Sequence, residues 1–159
     1  MEGFLFALTL ITALGCGLNA GIFFTFSSFV MAALARLQPA RGNEAMQSIN
    51  VVAVTPAFMT ALFGTAAACA VLAVWGIFTL DESYGIYLLL AGAVYLFGTI
   101  GLTIGYHVPR NNALAATDPD SSEGASYWSR YLAEWTRLNH VRAAAAFVAA
   151  ALLTIALTV

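Results

Sequence analysis

Few residues in this sequence can do chemistry, and several of them gather toward its C-terminal end. Set on a helix at about 100° per residue, Trp128, Tyr131, Trp135, Leu138, Asn139 and Arg142 fall on one stripe. Arg130, Glu134 and Arg137 fall on the opposite side, spaced to pair with one another at i,i+3 and i,i+4. An arginine on the inward face of a lipid-embedded bundle is costly, so it needs a partner or a ligand. Capping a neighbouring helix, or snorkelling to headgroups, is the plainer use of the same side chain. Asn19 and Asn50 are amides inside other apolar runs. Each serves either as interhelical glue or as a ligand contact, because an amide in lipid must find a partner.

His107 and His140 fall at a similar depth on two different apolar segments. Two imidazoles at one depth can hold a haem or a metal, but no third ligand and no HxxxH spacing supports that use. No cofactor is expected, and ligation by His107 and His140 stays open as the alternative. His140 turns about 120° away from Trp128 on the helical count. Imidazole titrates near neutrality, so His140 is a candidate general base. Cys16 and Cys69 both lie in apolar runs without CxxC or zinc spacing and are expected to pack as small hydrophobes, with a redox pair as the alternative because they fall at similar depth.

The elements that must position these groups are membrane helices. Of 159 residues, 61% are hydrophobic and only 9% are charged, against roughly 25% charged in ordinary soluble domains. Mean hydropathy is +0.84. A soluble fold of this length leaves roughly a third of its unfolded-chain surface wet, too much for so apolar a chain. Uncharged runs cover residues 3–35, 45–80, 83–109 and 143–159, and a span needs about 20 residues. The expected fold is all-α: one membrane domain over 1–159, an integral four-helix bundle with helices projecting on the cytoplasmic side. Spans are expected near 3–35, 50–80, 83–108 and 139–159, with a cytoplasmic loop and helix extension at 109–138. Pro56 should kink the second span or mark its start. Asp120 with Glu123 resembles a capping box opening one long last helix. No basic n-region precedes the first run, which reads as a retained helix.

All six basic residues are arginine, and all lie in or beside the two connections expected on one side. The connection carrying Asp81 and Glu82 has none. By the positive-inside rule, the protein is expected to be multi-pass in the cell (inner) membrane with both termini outside the cytoplasm. Trp75, Tyr84 and Tyr87 suit an outer aromatic belt. Scattered arginines exclude a nucleic-acid footprint. The expected partners are the lipid bilayer and a lipophilic small molecule. Gly17 with Gly21 and Gly101 with Gly105 have helix-packing spacing. They suit a tight bundle, a homo-oligomer or docking onto a larger membrane complex.

Four blocks resemble the anthrone oxygenase family of small membrane proteins. They are Asn19-Ala20-Gly21-Ile22-Phe23-Phe24-Thr25-Phe26-Ser27, Ala45-Met46-Gln47-Ser48-Ile49-Asn50, Val108-Pro109-Arg110-Asn111-Asn112-Ala113-Leu114-Ala115, and the set Trp128, Trp135, Asn139, His140 and Arg142. They stand in the family's order and cover nearly the whole chain. His107 and Arg110 depart from it, standing where the family carries asparagine and an apolar residue. The resemblance implies a four-span fold and, in some members, oxidation of anthrones to anthraquinones. On that reading His140 is the base, Arg142, Asn139 and Asn50 hold an oxyanion, and Trp128 and Trp135 stack on a polycyclic ring, with Asn19 as a further substrate contact. The competing expectation is a membrane binder or accessory subunit without activity of its own.

Overall fold

The computed structural model describes residues 3–159. These residues form five helices, four of them long and apolar enough to cross a membrane. Helix α1 is Gly3–Ala35, α3 is Pro56–Phe78, α4 is Gly85–Ala115 and α5 is Ser122–Ala156. A shorter helix, α2, covers Pro39–Val52 between the first two spans. Among the described residues there is no strand. Only about a third of each apolar stretch is buried inside the bundle. The remaining apolar faces carry Phe24, Phe29, Phe78 and Phe97 outward, which is stable only where lipid replaces water.

Local sequence explains the breaks. Thr55 precedes Pro56 and is extended (φ −100°, ψ 151°), because the proline ring disfavours helical backbone at the residue before it. The Thr55 hydroxyl then accepts from the Phe58 amide and starts α3. The uncharged run 45–80 is therefore two helices, with residues 53–55 as the joint. At α5 the cap is Ser121, whose Oγ accepts from Gly124 N at 2.9 Å; the expected Asp120–Glu123 box does not form there. The last helix is long, 35 residues, or about 50 Å at 1.5 Å per residue. Glu134 bonds Tyr106 and pairs with Arg110 across to α4, rather than pairing along its own helix.

Three of the spans contain wide π-helical turns: Phe26–Val30 in α1, Thr60–Gly64 in α3, and Tyr95–Gly101 with Thr103–His107 in α4. In α4 the second such turn directly precedes Val108-Pro109, where the proline ring supplies no N–H. Helix α4 nonetheless continues through it to Ala115.

Among the described residues the interior has two large apolar cores and a small cluster of Phe23, Leu62 and Ala143. One joins Leu5, Cys16, Cys69, Leu72, Leu88, Tyr95 and Leu153 toward the end that holds the α3–α4 turn. The other joins Met31, Leu34, Met46, Leu114, Trp128, Tyr131 and Trp135 around α2. Helices approach closely where glycine allows it. A Cβ on Gly92 would sit 2.5 Å from the Cys69 carbonyl oxygen, and one on Gly42 would sit 2.9 Å from the Trp128 ring. Gly17, Gly21 and Gly105 face open space instead. The helix-packing glycines expected to tighten the bundle thus lie mostly on its outside.

Candidate functional site

Between the two cores lies a polar layer, and its centre is Arg142. The side chain is only 7% exposed, yet among the described residues no carboxylate pairs with it. Its Nε and Nη2 donate to Asn139 Oδ1 at 3.1 and 2.6 Å. Nη1 donates to Thr103 Oγ1 at 3.2 Å. The guanidinium lies over the Phe23 ring at 3.9 Å and 5.6 Å from Trp135, where a delocalised cation gains from the ring quadrupoles. Asn139 completes the frame: its Nδ2 donates to Phe23 O at 2.7 Å and Ser27 Oγ at 2.6 Å. The wide turn of α1 begins just past Phe23. Every bond holding the cation therefore comes from a neutral group.

Against this layer lies a cavity of about 270 Å³, near the lower end of the ~300–1,000 Å³ typical of small-molecule sites. Its walls are largely apolar, with Ile22, Phe26, Ile49, Phe58 and Leu62 among them. Asn50, Thr103, His107, Asn111, Trp135 and Arg142 form its polar part. Val54, Phe63 and Val108 also line it and are exposed on the outside of the bundle. The opening is thus bordered by apolar side chains that lipid would touch.

Two polar atoms at this cavity have no partner. Asn50 Nδ2 lies near the Tyr131 hydroxyl but outside hydrogen-bond geometry; that hydroxyl donates its own proton to Asn111 Oδ1 at 2.7 Å. His107 Nδ1 lies 3.0 Å from Leu102 O. A carbonyl only accepts, so Nδ1 carries a proton. Nε2 makes no hydrogen bond. Buried polar atoms without partners are rare and call for an explanation.

The structure gathers some of the expected residues and separates others. Arg142, Asn139, Asn50 and Trp135 meet at or beside the cavity. Trp135 is held there by its Nε1–H, which donates to Asn111 Oδ1 at 3.0 Å. Trp128 does not reach it. It stacks on Tyr131 (5.8 Å, 20°) deep in the core around α2, two helical turns before Trp135 and roughly 10 Å along the axis. Asn19 is also elsewhere: its Nδ2 joins α1 to α3 through Gly15 O and Ala61 O, with Oδ1 unpartnered. His140 is exposed on the outer face of α5, beside Gly21 and Ala144. It therefore cannot serve as a base in this cavity, nor share a metal with the buried His107. Among the described residues no three His, Cys, Asp or Glu side chains gather to hold a metal. Sequence reasoning missed Thr103 and Asn111 and considered His107 only as a metal ligand. The signal for all three is one helix: Thr103, His107 and Asn111 stand four apart on α4.

A family model described as anthrone oxygenase matches residues 57–152, more than half of the chain. The matched stretch carries Thr103, His107, Asn111, Trp135, Asn139 and Arg142, and leaves out Phe23 and Asn50. No curated protein and no solved structure matches the chain. With most of α3 to α5 inside the match, this chain is a member of the anthrone oxygenase family.

Proposed function

We propose that the protein is a membrane-embedded oxygenase that takes a lipophilic aromatic ketone of the anthrone type and stabilises its anion. One observation carries this reading: Arg142 is a buried cation held only by neutral groups, facing an apolar cavity. A buried charge without a counter-ion is expensive, and an anion formed in the cavity would offset that cost. The protein's own hydrogen bonds hold the donor frame in place, and donors fixed in advance are the condition for electrostatic stabilisation of a developing oxyanion.

The chemistry follows from the substrate class. The methylene of an anthrone loses a proton to give an aromatic enolate, with charge on the oxygen. That oxygen accepts from Arg142, with Asn50 Nδ2 as a second donor. Trp135 and the apolar wall hold the flat rings. Dioxygen adds at the former methylene carbon to give a peroxide anion, which is protonated. Loss of water then leaves the quinone: one oxygen atom of dioxygen stays in the carbonyl and the other departs in water. Oxidation of the methylene to a carbonyl supplies all four electrons that reduce the two oxygen atoms of dioxygen, so the sequence as written needs no external reductant and no cofactor. Ligand entry from the bilayer suits the apolar border at Val54, Phe63 and Val108.

By the positive-inside rule the arginine-bearing end faces the cytoplasm, with both termini outside and the cell (inner) membrane as location. The polar layer then lies nearer the cytoplasmic face. A second reading, an accessory module packed on another membrane protein, is favoured by the open space beside Gly17, Gly21 and Gly105. Oxygen uptake separates the two. Purified protein in detergent should consume oxygen with dihydroxyanthrone and form quinone, and Arg142→Leu should abolish the gain. Quinone formation no faster than in buffer would reject the oxygenase and leave the accessory module.

A further inference from the structure

We propose that His107 is the proton acceptor of the cavity, an inference that rests on the anion-stabilising reading above. His107 is 1% exposed, lines the same cavity as Arg142 and Thr103, and is fixed on every side. Its Nδ1–H is committed to Leu102 O, a carbonyl five residues earlier that the wide turn Thr103–His107 brings within reach. The rings of Tyr106 and Trp135 meet it edge-on at 5.5 and 5.1 Å. What is left is Nε2, which makes no hydrogen bond, with the Trp135 backbone beside the ring. With Nδ1 protonated, Nε2 of the neutral ring is a lone pair, the form a general base requires. The donors at the cavity, Arg142 and Asn50, serve an oxygen; Nε2 is the acceptor that they lack. A ligand with an acidic C–H near its carbonyl oxygen complements all three.

The step balances. The proton passes from the substrate methylene to Nε2, and the C–H electron pair remains on the substrate as enolate. After dioxygen adds, the protonated Nε2 returns its proton to the peroxide. A second proton leaves the same carbon as the O–O bond breaks, and hydroxide departs with it as water. His107 ends as it began. His140, exposed on the outer face of α5, takes no part.

Exchange without oxygen isolates this step. Under argon in heavy water, the protein should speed deuterium entry into the methylene of dihydroxyanthrone, read by mass spectrometry. Binding is measured alongside by tryptophan fluorescence. His107→Asn should slow exchange at least ~100-fold, the lower end of a general base's contribution, without changing the dissociation constant. His107→Gln provides a second variant should the first not fold, and His140→Asn should exchange as the wild type does. A folded His107 variant exchanging at the wild-type rate would overturn the assignment and leave the anion site standing. A wild-type protein that neither binds nor exchanges would overturn both.

Discussion

Arg142 grips Asn139 with two nitrogens, Nη2 at 2.6 Å and Nε at 3.1 Å from the same Oδ1. The two residues are three apart on α5, so one turn of one helix builds the clamp. Asn139 is fastened in turn to α1 at Phe23 O and Ser27 Oγ. Arg142 therefore cannot move without losing bonds on two helices. The cation is aimed before a ligand binds, and a neutral amide rather than a carboxylate does the aiming.

That choice of orienting group predicts the effect of Asn139→Asp. A carboxylate at this position would pair with Arg142 and cancel its charge. Affinity for an anionic aromatic ligand, titrated by fluorescence, should fall at least tenfold, on the order of 1.4 kcal/mol. Unchanged affinity would mean that the charge of Arg142 is not what the ligand reads.

Replacing Arg142 by leucine should separate function from stability. Turnover should fall on the order of 10²–10³-fold, as when an oxyanion donor is removed. The protein should also lose about 1–3 kcal/mol, because Asn139 Oδ1 becomes a buried acceptor with no donor. Steady-state rates and thermal unfolding in detergent check the two effects independently.

The two tryptophans of the α5 stripe should behave differently. Trp135 lines the cavity and holds Asn111, whereas Trp128 lies in the core around α2. Trp135→Leu should raise KM and lower kcat together. Trp128→Leu should lower the melting temperature while the folded fraction keeps its KM. Kinetics on both variants, normalised to folded protein, decide the matter.

Glycines inside and outside the bundle should respond with opposite signs. Gly92→Ala places a Cβ 2.5 Å from the Cys69 carbonyl oxygen and 2.6 Å from Ala73 Cβ, a clash that costs roughly 1–3 kcal/mol. Gly17→Ala meets nothing and should be neutral or slightly stabilising, since alanine is the better helix former. Melting temperatures of the isolated chain test both. A loss at Gly17 would instead show that a second copy of the chain packs there.

Much of the fold is legible in the sequence because lipid imposes a simple constraint. Long uncharged runs must be helices, and Pro56 must interrupt one of them. The α5 stripe is legible for the same reason: at 100° per residue, Arg142 and Asn139 turn inward and His140 outward, as observed. Periodicity gives direction but not depth. It puts Trp128 and Trp135 on one face without showing that the cavity reaches only one of them. It also assumes regular turns. The wide turns of α1, α3 and α4 shift the helical phase, and they bring Phe26, Leu62, Thr103 and His107 around one space. The glycine pairs mislead in another way: their spacing says that a helix can approach, not that one of this chain's own helices does.

On the proposed function, the cavity holds its ligand as an anion beside Arg142. The most direct measurement is the absorption spectrum of dihydroxyanthrone bound to the purified protein under argon, at a pH where the free compound is neutral. The wild type should show the long-wavelength band of the enolate, and Arg142→Leu should lose it. A saturated wild-type complex showing only the spectrum of the neutral ketone would contradict the proposed function.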